Sequence, residues 1–395
     1  LKLGERAVMP VRTYQDAVEH LTDQFAVDRA FRIQRNIRRA VEEAYRDLPQ
    51  QGYWSYYRRR AIINTAASQT SGTITYTHST RIVTLASSTF PSNAEKYRII
   101  IGNVHYDIES YTDSTHVVLP STSNPGANVA AGTAYTLYRN EYPLPVTFRR
   151  AIGLFDSTYL RPVQIITDSD EQALQIGSNG TPGVPAFACI RNTGETIGSL
   201  SLVFNCPPNS AVAYDLLFDA IPRPFVLPEK YSTGTVTISS GSASVSSSGA
   251  TFASGVAGCV LRVTTSTTEE PTAPFGALID QDSVDNPYSF QSVVKTRDSS
   301  SALTLMDAAD QTYTTVKYSL SDPLDIEDGA MLTAFLRLAE WHYARLARMD
   351  RKEITAYEQE ARSAVLLAKE NDRRVIGDSG LKYVDWQPMT ISPTE

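Results

Sequence analysis

No apolar run in the sequence approaches the roughly 20 residues a helix needs to cross a bilayer, which excludes a helical membrane span. The first residues, Leu1 to Arg6, lack the apolar stretch of a secretory signal. Cysteine is scarce. The three residues Cys189, Cys206 and Cys259 make no CxxC pair, and an odd number gives no disulfide framework. Each lies among apolar or small residues and reads as a buried, reduced thiol, in keeping with folding in a reducing cytoplasm. Only five histidines occur, His20, His78, His105, His116 and His342, none at metal-ligand spacing, so they read as surface or packing residues. No Gly-x-Ser-x-Gly elbow and no Gly-x-x-x-x-Gly-Lys phosphate loop is present; Gly183-Val184-Pro185 reads as a turn. The net charge of −7 denies the chain an overall basic field for wrapping nucleic acid. These absences point away from an enzyme, and neither a cofactor nor a metal is expected.

What is present is organised in three kinds of text. From about 13 to 50 the pattern is helical. Thr13 and Asp16 have capping spacing, Ile33, Ile37, Val41, Ala44 and Leu48 form one stripe, and Pro49 and Gly52 stop the run. From about 60 to 320, Thr, Ser, Val, Ile and Tyr form short runs punctuated by Gly, Pro and Asn. Strands are expected at Tyr97–Ile101, Val117–Leu119, Leu200–Phe204 and Ala213–Phe218. From Ser321 the helical pattern returns. Asp322, Asp325, Glu327 and Asp328 suit a helix N-terminus. Two stripes follow, Leu332, Phe335, Ala339, His342 and Leu346, then Ile354, Tyr357, Ala361, Val365 and Ala368, with Asp350 and Glu353 at capping-box spacing between them.

The β region repeats itself. Ser71-Gly72-Thr73-Ile74-Thr75 matches Thr233-Gly234-Thr235-Val236-Thr237, and at the same offset Val83 meets Val245, Phe90 meets Phe252 and Ile99 meets Leu261. After an insertion in the second copy, Tyr106-Asp107-Ile108 resembles Tyr288-Ser289-Phe290, and Val117-Val118-Leu119 resembles Leu303-Thr304-Leu305. The fold class expected is α+β. Terminal helices form one module around a central antiparallel β-sandwich and two duplicated small β units. The expected segments are 1–60 helical, 61–140 β unit 1, 141–230 sandwich, 231–318 β unit 2, 319–372 helical hairpin and 373–395 an extended tail.

Two acidic clusters, Asp168 with Asp170 and Glu171, and Asp280 with Asp282 and Asp285, read as solvated loop acids. A cation site or a glycosidase pair is the sharper alternative. Between Arg29 and Arg60 nine arginines (Arg29, Arg32, Arg35, Arg38, Arg39, Arg46, Arg58, Arg59, Arg60) face three acids, and Tyr56 and Tyr57 add rings beside the last three. Two readings fit. The arginines touch DNA phosphates when subunits surround a channel, or they pair with acids such as Asp325, Glu327 and Asp328 of a neighbouring subunit.

The order of parts resembles the head-to-tail adaptor (connector) proteins of tailed bacteriophages. The resemblance is carried by Tyr45-Arg46-Asp47-Leu48-Pro49 and Tyr53-Trp54-Ser55-Tyr56, then by Glu141-Tyr142-Pro143-Leu144-Pro145, Gly183-Val184-Pro185, Asn205-Cys206-Pro207-Pro208 and Tyr214-Asp215-Leu216-Leu217. It ends with Ser321-Asp322-Pro323-Leu324-Asp325-Ile326. It covers the whole plan through degenerate motifs, and the duplicated β units are a departure from the smaller, mostly helical adaptors. The resemblance implies a virion protein of the neck, assembled in the bacterial cytoplasm as a ring, usually of twelve subunits. The ring docks beneath the portal protein, extends the DNA channel with transient contact to double-stranded DNA, and gives tail or nozzle proteins a platform, away from any membrane. It also implies a docking tail, with Tyr383, Trp386, Pro388 and Met389 as its contact residues. Rival readings are another tail component (nozzle, tube or baseplate), a carbohydrate-binding adhesin, and, last, a glycan hydrolase.

Overall fold

A computed structural model describes residues 12–25, 31–158, 160–170, 181–192, 199–271, 288–327 and 329–375. The fold is α+β. The chain forms two compact units, one drawn from Leu1–Tyr56 and Pro222–Glu395, the other Tyr57–Ile221.

The first unit holds four described helices, α1 (Tyr14–Phe25), α2 (Phe31–Asp47), α3 (Ala330–Ala347) and α4 (Arg351–Val375). The N-terminal text thus gives two helices; residues 26–30 lie outside the described residues. The capping box forms as its spacing predicts: the Asp16 amide donates to Thr13 Oγ1 (3.3 Å) and the Thr13 amide to Asp16 Oδ2 (2.8 Å). Ile37, Ala40, Val41 and Ala44 bury one face of α2, which ends where Pro49 has no amide to donate and a 3-10 turn, Leu48–Gln51, takes over. α3 is apolar on most of its surface and packs against both α2 and α4. Arg348, in the left-handed region, reverses the chain so that α4 runs back along α3. The acids before α3 do not cap it as expected. The helix begins at Ala330, after Gly329, and Asp322 and Asp325 turn inward to accept backbone amides, whose desolvation is costly unless paired. Asp328 lies outside the described residues.

The second unit begins with β1 (Arg58–Asn64). Next come β2 (Thr73–Thr77), β3 (Ile82–Ala86), β4 (Arg98–Ile101), β5 (Val104–Asp107), β6 (Ser110–Asp113), β7 (His116–Val118), β8 (Val129–Thr133) and β9 (Tyr135–Tyr138). It closes with β10 (Glu141–Pro143), β11 (Phe148–Asp156), β12 (Arg161–Pro162), β13 (Gln164–Ile165), β14 (Phe187–Arg191), β15 (Ser201–Phe204) and β16 (Ala213–Ala220). Sheets β1-β16-β11-β12 and β10-β15-β14-β13 enclose the core of Tyr142, Leu154, Leu202, Phe204, Tyr214, Leu216 and Phe218. β1 pairs with β16 and so belongs to the sandwich, not to β unit 1 as its position in the chain suggested.

The strands of β unit 2 are β17 (Thr235–Ile238), β18 (Ser244–Ser248), β19 (Val260–Val263), β20 (Phe290–Arg297), β21 (Ala302–Leu305), β22 (Tyr313–Val316) and β23 (Tyr318–Ser321). Their order, β22-β17-β18-β21-β20-β19-β23, matches that of β unit 1, β8-β2-β3-β7-β6 with β5-β4-β9, if β20 stands for β6 and β5 together. β23 completes this sheet, so the unit runs past the expected boundary at 318. The match extends to single bonds. Tyr135 Oη donates to the Ser71 carbonyl and Tyr318 Oη to the Thr233 carbonyl, both at 2.9 Å. The Phe90 amide donates to the Ser114 carbonyl (2.7 Å) and the Phe252 amide to that of Ser300 (2.8 Å). Register corrects one sequence match. Ile99 pairs with Tyr106 and Leu261 with Ser292, so the counterpart of Tyr106 is Ser292, four residues beyond Tyr288. The reason is the turn: Gly102 and Asn103, both at positive φ, make a two-residue hairpin where the second copy inserts 264–289. The Val117 to Leu303 match holds, since each faces the matched valine, Val83 or Val245.

Gly72 (φ 87°) and Gly234 (φ 85°) are a matched pair, and a Cβ on either would press into a carbonyl oxygen, that of Ala86 or Ser248. Gly72→Ala and Gly234→Ala should each destabilise by more than the roughly 1–2 kcal/mol of left-handed backbone strain alone. Urea unfolding of both variants checks this, and a loss below 0.5 kcal/mol (about the scatter of neutral surface changes) would contradict it.

Candidate interaction surfaces

The arginine segment divides three ways. Arg29 lies outside the described residues. Arg32, Arg35, Arg39 and Arg46 recur along the solvent face of α2 and, at about 100° per residue, share an arc of roughly 60°. Arg39 pairs with Glu43 (2.8 Å) and Arg46 with Glu42 (3.8 Å) on the same helix; Arg32 and Arg35 make no ion pair among the described residues. Arg38, at the edge of this face, pairs with Glu229. Arg58, Arg59 and Arg60 are not helical. They open β1, where alternation sends Arg58 and Arg60 to one face of the sheet and Arg59 to the other. Arg60 forms a two-bond pair with Asp215.

Within the chain, Arg38, Arg39 and Arg46 thus pair with Glu229, Glu43 and Glu42. Asp325 instead accepts the Tyr56 hydroxyl (3.0 Å) and the Arg223 amide (3.1 Å). Tyr57 is buried, so Tyr56 and Tyr57 do not extend an arginine surface. Sequence reading missed Arg149 and Arg150. Nothing in a span of 90 residues signals that antiparallel pairing sets Arg150 and Arg58 on either side of Asp219.

Two buried carboxylates organise the first unit. Asp16 Oδ1 and Oδ2 accept from Arg262 Nη1 (2.5 Å) and Nη2 (2.8 Å), joining α1 to β19. Asp322 Oδ2 accepts the amides of Val226 (2.8 Å) and Leu227 (2.7 Å), while Oδ1 faces the Cys259 thiol at 3.4 Å. Burial and the Asp322 charge push the Cys259 thiol up to about 12. His342, buried in α3, meets Asp47 (Nε2 to Oδ2, 2.8 Å) and Glu43 (Nδ1 to Oε2, 3.3 Å), a tie between α2 and α3. These groups are structural in chemistry: each carboxylate is occupied by amides, a guanidinium or an imidazole of its own unit.

The expected acidic clusters resolve in part. Asp168 lies 3.4 Å from the Arg191 guanidinium and Asp170 accepts the Thr167 hydroxyl (2.6 Å); Glu171, Asp280, Asp282 and Asp285 lie outside the described residues. So do Tyr383, Trp386, Pro388 and Met389 of the expected docking tail. Gly183 does not form the expected turn: it makes a parallel β-bridge with Pro208, its amide donating to the Pro207 carbonyl at 2.8 Å and its carbonyl accepting the Asn209 amide at 2.9 Å. A cavity of about 100 Å³ lies among Trp54, Glu327, Met331, Ala368 and Asp372, smaller than the roughly 300 Å³ at which ligand pockets begin. Among the described residues no group of three His, Cys, Asp or Glu side chains is placed to hold a metal ion, and no helix is long and apolar enough to cross a membrane. Comparison with models of known protein families and with curated protein sequences gives no match.

All three thiols are free and buried. In native protein at pH 8 they should react with a thiol-exchange reagent at least about 100-fold more slowly than after denaturation, because all three are inaccessible and burial also raises the thiols of Cys206 and Cys259. Rapid labelling of any one in the native state would contradict the burial described.

Proposed function

We propose that the chain is a structural virion protein, the head-to-tail adaptor that forms a ring below the portal of a tailed bacteriophage. One observation carries the reading. Chain segments nearly 300 residues apart, α2 and the α3–α4 hairpin, pack into one helical module whose solvent face on α2 bears a stripe of arginines. A stripe on one monomer becomes a basic belt when subunits repeat around an axis, and Arg32 and Arg35 then meet DNA phosphates or acids of the next subunit. A closed ring requires a heterologous interface whose rotation closes. Modest contacts suffice, because simultaneous engagement of many subunits by the portal adds avidity.

Native mass spectrometry and electron microscopy of the purified protein, alone and mixed with the portal of the same phage, test the reading. The expected result is a monomer that becomes a ring matching portal symmetry. A stable trimer, or no association with portal, would overturn it and favour a fibre, nozzle or adhesin. In the same assay, deleting 382–395 should leave a subunit with unchanged circular dichroism that no longer docks. Normal docking of that truncation would remove the tail from the contact.

A further inference from the structure

Helix α4 buries one face and shows the other to solvent. Ala361, Val365, Ala368 and Asp372 recur at helical spacing on the buried side. The opposite side carries Arg362, Ser363, Glu370 and Arg373, all exposed, and among them two leucines: Leu366 is 66% exposed and Leu367 56%. Arg362 pairs with Glu358 one turn back along the helix. Side by side on a helix whose other solvent positions are mostly polar, the leucines have the composition of a contact.

The sequence that follows α4 names an occupant. Residues 376–395 lie outside the described residues. Gly377-Asp378-Ser379-Gly380 reads as a turn, directly after the helix ends at Val375. Leu381 to Gln387, bounded by Gly380 and Pro388, reads as an extended run with Lys382, Val384 and Trp386 on one face. An extended chain advances about 3.3 Å per residue and a helix about 1.5 Å. A run that turns back at Gly380, level with Val375, therefore sets Lys382 beside Glu370, Val384 beside Leu366 and Trp386 beside Arg362. Opposite charges, two apolar side chains, and an indole with a guanidinium then meet in the order the sequence fixes. Any other occupant competes with a segment tethered to α4 itself, whose effective concentration is of roughly millimolar order. We infer that residues 381–387 of the free subunit lie along α4 over Leu366 and Leu367 as an intramolecular strap, which docking must lift. Only the lifting step rests on the adaptor reading.

Because the native thiols are buried, the substitution Leu366→Cys places a single reactive reporter beneath the strap. Its maleimide labelling is followed in the full chain and in the same chain carrying Val384→Asp or Trp386→Asp, with circular dichroism verifying the fold of each. The expected result is labelling roughly tenfold slower with the native segment than with either substitution. Equal rates overturn the strap. Mild oxidation of the full chain carrying both Leu366→Cys and Val384→Cys should give an intramolecular disulfide in a protein that sediments as a monomer. No bond, or a bond between two copies, also overturns the strap. The oxidised chain mixed with portal should form no ring until it is reduced. Rings that form as readily before reduction overturn the lifting step alone. Slow labelling in a chain that never assembles with portal leaves the strap standing and overturns the adaptor reading.

Discussion

Arg262 is the group on which the first unit turns. It sits on β19 with its guanidinium buried and points at α1, where Asp16 receives it through two bonds. Burial works against the charge on Arg262, and the Asp16 carboxylate overrides it, holding the guanidinium's pKa above its ordinary value. Such a pair is expensive to bury and expensive to break, since removing one partner strands the other charge. Asp16 is at the same time the capping residue of α1, so the helix start and the docking of the helix onto the sheet are one event. Gln291 adds a bond to Arg262 Nε (2.9 Å) and the Tyr288 ring lies against its guanidinium, 4.8 Å to the centroid.

The duplicated units show what this constraint changed. Register puts Ile100 of the first copy where the second has Arg262, both on the same face of the matched strand. One copy keeps an apolar side chain there; the other carries the charge that recruits a helix. The two copies otherwise share strand order, the paired glycines at positive φ and the tyrosine hydroxyl bond to the preceding strand's approach. A fold used twice in one chain has thus acquired different neighbours through single positions and through the long insertion after β19.

The adaptor reading rests on an order of parts and on surfaces, not on a chemical site. Two surfaces of the chain differ in kind. The α2 stripe is written in consecutive turns of one helix and was visible in the sequence as arginine spacing. The outer face of the sandwich is assembled from β1, β16 and β11, which lie far apart in the chain, and only their register sets Ile62 and Phe155 on either side of Asp215, or Arg58 and Arg150 on either side of Asp219.

Local signals were legible because they depend on neighbours within a turn or a strand. The cap at Thr13 and Asp16, the buried stripe of α2, the break at Pro49 and the strands near 98–101 and 201–204 all follow from periodicity and from residues that forbid continuation. So did the repeat, which left matching residues at a constant offset until the insertion shifted it. Asp322 and Asp325 were misread because their spacing suits a helix start, while the amides of Val226, Leu227 and Arg223 that claim them lie about 100 residues away. β1 was assigned to the wrong module because chain order says nothing about which strand will pair with which. By itself the sequence determined the class, the elements and the duplication, all products of short-range pattern. Tertiary structure alone decided which charges are buried, which strand closes the sandwich and which face remains open, because each depends on partners brought together across the chain.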